Sequence, residues 1–320
     1  MGVGRETISR RAAASSLAAA LTFAGAQRAE PRPQPRRADS FSGRWTNATL
    51  TPLERPAEFS SLYVDDAAAA AFAQKSRRAF LAASSDQVGG RQSDWWELGA
   101  RLTRIAGRYR ASLIVDPPDG KLPYSDAGRK RLAERQAANL AAFDNPEDRP
   151  APERCLAGGA GSTGAPILNP PYNANYVFVE TPDALAIYAE MNHEVRIVRI
   201  GLERHLPPGI RPWMGDSIGR WEGRTLVAET ANFNPGEGYK PSLALYLSPD
   251  AIVIERFTRS SPAEIFYEFT VEDPTAYARP WRGEALFVAT ASPIYEYACH
   301  EGNYALEGVL AGARQAEASR

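Results

Sequence analysis

Residues 252–272 read IVIERFTRSSPAEIFYEFTVE, and the second half alternates strictly: Ile265, Tyr267, Phe269 and Val271 are apolar, whereas Glu268, Thr270 and Glu272 are polar. A period of two is that of a strand with one face buried. Residues 252–259 form a second β-branched run, and 260–263 carry serines and a proline between the two, so the pair predicts an antiparallel hairpin. Upstream, 176–180, 184–190 and 195–200 are short apolar or alternating runs, separated by turn-like Thr181-Pro182-Asp183 and Met191-Asn192-His193-Glu194. Trp221-Glu222-Gly223-Arg224 reads as another turn, leading into 225–230. This pattern predicts an α+β, mainly β fold: an antiparallel sheet curled into a barrel or sandwich, a calycin- or lipocalin-like barrel among the candidates, with helices from the N-terminal part packed outside or across an end.

Those helices are expected at 63–83, anchored by Phe72, Phe80 and Leu81, and at 125–143. The second has Ser125 as N-cap, Leu132, Gln136, Leu140 and Phe143 along one side, and Asn145-Pro146 as its stop. Trp95, Trp96, Leu98, Leu102 and Ile105 suggest another over 94–107, followed by a strand at 110–115 that ends in Asp116-Pro117-Pro118-Asp119-Gly120. The irregular segment 146–172 is read as an embedded loop, because it carries Cys155.

The chain has 320 residues, 44% hydrophobic and 23% charged, with a formal net charge of −1. Such a balance offers nothing to nucleic acid, an anionic membrane or a polyanionic substrate. Ser9-Arg10-Arg11 precedes a weakly apolar run and Ala24-Gly25-Ala26, the pattern of a twin-arginine-like signal peptide over 1–26. A Pro/Arg-rich linker over 27–42 follows, then a single globular domain over 43–320, helix-rich in 43–160 and strand-rich in 172–300. Export to the periplasm or beyond places the only two cysteines, Cys155 and Cys299, where they would oxidise; pairing is expected, two separately buried thiols being the alternative.

The densest chemistry lies in 294–304, IYEYACHEGNY. It opens with strand-like alternation and ends in a Gly302-Asn303 turn, which would put His300 and Glu301 at a strand end and let Asn303 cap a short helix carrying Leu306, Val309 and Leu310. The chain's three histidines, His193, His205 and His300, all fall in predicted turns or loops of the second half. With Glu301 and Tyr304 they form a candidate set for general acid–base catalysis. Candidate substrate-binding residues are Trp213, Trp221, Trp281 and Tyr297, which could stack a ring, and Arg211, which could hold a carboxylate. Glu190-Met191-Asn192-His193 lacks the second histidine of a metalloprotease helix, and no other ligand spacing appears, so no metal is assigned. No dinucleotide or phosphate loop and no Gly-x-Ser-x-Gly occurs, which argues against a nucleotide cofactor and a serine nucleophile.

The phrases WTNATLTPLERP, EMNHEVRIVRI, WMGDSIGRWEGRTLVAETANF, YEFTVEDPTAYARPW and IYEYACHEGNY resemble a large family of exported bacterial proteins common in soil organisms, over about residues 43–313. That family has no assigned activity, so the resemblance implies export and transfers no catalytic residue. Function rests on the residues themselves. The expectation is an exported enzyme acting on a small carbohydrate or plant-derived aromatic compound by metal-independent histidine/carboxylate chemistry, as a lyase or hydrolase. The alternatives are a lipocalin-like periplasmic binding protein for a small molecule, with no membrane association after signal removal, and a metal-dependent enzyme using the three histidines. Whether those histidines meet separates the enzyme from the binding protein.

Overall fold

The hairpin is present. Ile252–Ser261 and Glu264–Glu272 pair antiparallel from Ile252↔Glu272 to Ser261↔Glu264, with an irregularity between Arg259 and Ser261. Ile265, Tyr267, Phe269 and Val271 are at most 1% exposed, as the alternation requires. The computed structural model describes residues 40–82, 98–141, 143–157, 164–170, 172–236, 239–240 and 243–319. The expected signal peptide and nearly all of the linker lie outside the described residues.

In chain order the elements are β1 (Gly43–Thr46), β2 (Tyr63–Val64), α1 (Asp66–Ala82), β3 (Arg104–Ile105), β4 (Arg108–Arg110), β5 (Ile114–Asp116), α2 (Asp126–Ala141), β6 (Asn175–Glu180), β7 (Ala184–Ala189), β8 (Val195–Ile200), β9 (Asp216–Glu222), β10 (Thr225–Ala231), β11 (Tyr239–Lys240), β12 (Leu245–Tyr246), β13 and β14 (the hairpin), β15 (Trp281–Ala289) and α3 (Ala305–Ala318). Nine strands close into a barrel in the order β1-β6-β7-β8-β9-β10-β13-β14-β15, with β15 returning to β1 through Trp45↔Ala289 and Thr46↔Val288. An odd ring cannot alternate direction all the way round, so one neighbouring pair has to run parallel. That pair is β8 and β9, joined from Val198↔Ser217 to Ile200↔Gly219 and connected by a long crossover over 201–215.

The barrel is filled. Trp45, Tyr176, Phe178, Phe257, Tyr267, Phe269, Trp281 and Phe287 are all at most 1% exposed and form one aromatic core. Each such side chain contributes about 1.5–3 kcal/mol by leaving water. Gly283 on β15 lies directly under the Phe269 ring, where any Cβ would overlap it. One ion pair is buried among these rings: Arg196 of β8 reaches Glu255 of β13 through both terminal nitrogens, at 2.6 and 3.0 Å. Tyr267 donates to the same carboxylate at 2.7 Å and accepts from the Ile167 amide. Burial opposes the Arg196 charge, but the Glu255 carboxylate outweighs it and holds the guanidinium above its ordinary value.

The N-terminal part differs from expectation in places. Tyr63 and Val64 are strand, so α1 starts at Asp66, and Leu81 is 52% exposed instead of anchoring it. Trp95 and Trp96 lie outside the described residues, but Arg104–Ile105 is a strand, which ends the expected 94–107 helix; Leu102 and Ile105 are buried, Ile105 within the strand that pairs with β4. The expected strand at 110–115 is split between β4 and β5. Helix α2 does start where its cap predicts, with the Ser125 hydroxyl accepting from the Gly128 amide at 3.0 Å. Gly128 is its buried contact, because a Cβ there would overlap the Ala276 carbonyl, while Leu140 points outward at 77% exposure. No described helix is long and apolar enough to cross a membrane.

Candidate functional site

After β15 the chain turns back along the outside of the barrel. The expected strand over 294–299 does not form, because the segment's amides are taken by side chains instead of a neighbouring ladder. Glu190, at the end of β7 and 3% exposed, accepts from the Tyr295 amide at 3.1 Å and from Asn173 Nδ2 at 2.6 Å. His193 Nε2 accepts from the Tyr297 amide at 3.0 Å. A backbone N–H only donates, so Nε2 holds a lone pair and the imidazole proton sits on Nδ1. Asn192 and His193 both have positive φ, 56° and 52°, inside the five-residue connection between β7 and β8, where the Glu194 amide donates to the Met191 carbonyl and tightens the turn. That turn stacks the imidazole on Tyr188, centroids 6.0 Å apart, and delivers it to the segment. Glu190 and His193 therefore form a clamp on alternate amides.

Cys155 and Cys299 are joined, with Cα atoms 5.8 Å apart. The bridge fastens the loop before β6 to the end of the clamped segment, and between them lies a cleft of about 800 Å³. Its apolar wall comes from Phe143 beyond α2, Tyr172 before β6, Tyr297, and Leu306 and Val309 on one side of α3. Asn173, Asn303, Glu153 and Glu296 supply polar groups, together with Arg149. Arg149 is committed to Glu153 at 2.9 and 3.1 Å and lies 4.5 Å over the Phe143 ring. The Tyr297 phenol is pushed up to about 12, mainly by burial and further by the Tyr172 hydroxyl to which it is hydrogen-bonded. The cleft thus presents two phenols, with one guanidinium against two carboxylates.

The histidines do not converge. His193 serves the clamp. His205, in the crossover, lies on the outer wall with Nδ1 2.9 Å from Asp216 Oδ2 and Nε2 3.2 Å from Glu229 Oε1. Asp216 also accepts from the Leu206 amide and from Arg199, so the carboxylate pins the crossover to β9. His300 and Glu301 are exposed in the turn before α3, and Tyr304 is 77% exposed. None of the described contacts links any two of the three imidazoles to a shared partner. Among the described residues no three His, Cys, Asp or Glu side chains are grouped to hold a metal ion.

Of the residues expected to hold substrate, Tyr297 lines the cleft and Trp213 a second pocket beside β8. Trp281 is fully buried against Phe269 and Tyr277, and Trp221 stacks on Phe41 at 5.7 Å; both are core packing. Arg211 bonds the Phe233 and Pro249 carbonyls and ties the crossover to the β12–β13 turn. Sequence reasoning passed over Phe143, Arg149, Tyr172, Asn173 and Glu296. The one available signal was Cys155, since pairing with Cys299 draws the flanks of both cysteines together. No protein-family model and no curated protein matches this chain.

Proposed function

We propose that the chain is an exported protein that binds a small, uncharged, ring-bearing compound with hydroxyl groups, such as a plant-derived phenol, in the cleft beside the disulfide. The observation that carries this reading is the cleft itself: its volume of about 800 Å³ lies in the range of small-molecule sites, and aromatic and aliphatic side chains form most of its wall. Two phenols and two asparagines give a hydroxylated ring donors and acceptors. The excess of carboxylate over guanidinium works against an anionic ligand. A catalytic reading built on the histidines lacks support, because His193 and His205 have separate partners and His300 is exposed in the turn before α3. A lipocalin-type cavity is also disfavoured, since aromatic side chains fill the barrel and the cleft lies outside it. Export is favoured by the disulfide, which suits an oxidising compartment, and by the resemblance to an exported bacterial family.

Calorimetric titration of the oxidised protein with coniferyl alcohol and with ferulate, its carboxylate counterpart, tests the reading. The alcohol should bind at least about tenfold more tightly than the carboxylate, and Tyr297→Ala and Leu306→Asp should each weaken it by about tenfold, the loss of one buried contact. Equal binding of both compounds, or indifference to both substitutions, would remove the cleft from consideration.

A further inference from the structure

The parallel seam leaves a strand edge open. The Ala189 amide donates to the Glu194 carbonyl and the Ile200 amide to Asp183, so even-numbered positions along β8 spend their backbone groups on β7; odd-numbered ones face β9, as the Gly201 amide does in donating to the Gly219 carbonyl. Pairing with β9 begins only at Val198↔Ser217, since the Gly215 amide is folded back onto the Pro212 carbonyl and keeps the incoming chain away. Upstream of that point the Val195 N–H and C=O and the Ile197 N–H face the β9 side with no partner among the described residues. On that side lies a hollow of about 410 Å³ between 194–197 and 212–217. Val195 and Ile197 are 47% and 45% exposed, and Leu156, Trp213 and Met214 complete an apolar rim. An open edge is a template for another chain, and proteins usually blunt it with a lysine, a proline or a bulge. None of these lies in Val195–Ile197, whose one charge, Arg196, turns into the barrel to Glu255.

We propose that this edge is a docking site for a basic, extended peptide, which lies along the first half of β8 as a short added strand. Main-chain bonds to Val195 and Ile197 hold it. Its outward side chains pack on those two residues and on Trp213, and its inward ones must be small, because aromatic side chains fill the barrel. Charge sets the sign of the partner. The hollow and its ion-pair partners hold two guanidiniums, Arg196 and Arg199, against three carboxylates, Glu194, Asp216 and Glu255. The surplus carboxylate attracts a lysine flanking the strand and repels a glutamate. The site stands apart from the cleft and does not depend on what the cleft binds.

The probe is acetyl-Lys-Val-Ala-Val-Lys-amide, compared with the same peptide carrying glutamate for both lysines and with a version N-methylated at its central residues. Binding is followed by the NMR signals of the Val195 and Ile197 amides and the Trp213 indole in the oxidised protein, and by hydrogen exchange. The Val195 amide should exchange freely in the protein alone. The lysine peptide should move all of these signals in one titration, with a dissociation constant of about 1 mM, and slow exchange at Val195 by about tenfold. The glutamate peptide should bind about fivefold more weakly, and the N-methylated one, which cannot donate to the edge, at least about tenfold more weakly. Ile197→Lys, which blunts the edge, should weaken the lysine peptide about tenfold and the milder Trp213→Ala about fivefold, while Tyr297→Ala leaves it unchanged. The proposal is overturned if the Val195 amide is already protected in the free protein, if the lysine peptide leaves the Val195 and Ile197 signals still, or if either comparison peptide binds equally. Loss of the response in Tyr297→Ala would place the peptide in the cleft and overturn it too.

Discussion

Glu190 and His193 show how a side chain's surroundings set its role. Read alone, His193 is an acid–base candidate and Glu190-Met191-Asn192-His193 falls short of a metal motif; in the fold both Glu190 and His193 act as acceptors for amides two residues apart, replacing the strand that would otherwise satisfy them. Removing one acceptor should loosen the segment by the net worth of a hydrogen bond, about 1 kcal/mol. His193→Ala is therefore expected to speed hydrogen exchange at the Tyr297 amide by about fivefold and to weaken cleft binding similarly, whereas His193→Gln, which keeps an acceptor, recovers most of the loss. Unchanged exchange in the alanine variant would mean that the amide is held by something else.

At the scale of elements, α3 depends on what precedes it. Its 14 residues include no buried one, and a lone helix of that length is marginal in water. The clamp and the disulfide hold its start in place. Cys155 and Cys299 are separated by 144 residues, for which the chain-entropy account gives a stabilisation of up to about 5 kcal/mol. A Cys155→Ser, Cys299→Ser protein should lose the helical signal of α3 and cleft binding, and should be cut readily by protease near residue 300, with the barrel's β signal retained at a lower melting temperature. Protease resistance equal to the oxidised protein would show that α3 docks unaided.

At the largest scale the described residues are built on a barrel filled by aromatic side chains, and that gives the protein an alkaline limit. Tyr267 and Tyr277 are held well above their ordinary range, by burial first and then by Glu255 and Tyr124 respectively; Tyr176 is raised chiefly by burial, and Tyr297 sits at about 12. The folded state therefore keeps protons that the unfolded chain releases above about pH 10. Stability should be level below that point and fall as pH climbs from about 10 towards 12. Urea unfolding at a series of alkaline pH values, with phenolate absorbance, checks this. If all 13 tyrosines titrated near pH 10 in still-folded protein, the burial argument would fail.

Residue order alone settled the mainly β class, the β13–β14 hairpin, the β7–β8 turn and the Ser125 cap, because each follows from a short-range period or a turn residue; it favoured pairing of the cysteines over two separate thiols, and the structure decided for the bridge. Strand β15 gave less signal: its inward positions are Trp281, Gly283, Ala285 and Phe287, and two small residues blur the alternation although Gly283 is demanded by the ring above it. The 294–299 segment misled in the opposite direction, since alternation reports two environments and does not reveal whether a strand or a pair of side chains supplies the acceptors. Tertiary structure alone decided the ring closure, the parallel seam it forces, the Arg196–Glu255 pair across 59 residues, and the separation of the histidines. The physical reason is range: periodicity records whether a side chain faces water, whereas the identity of its partner is set by how distant strands close into a ring.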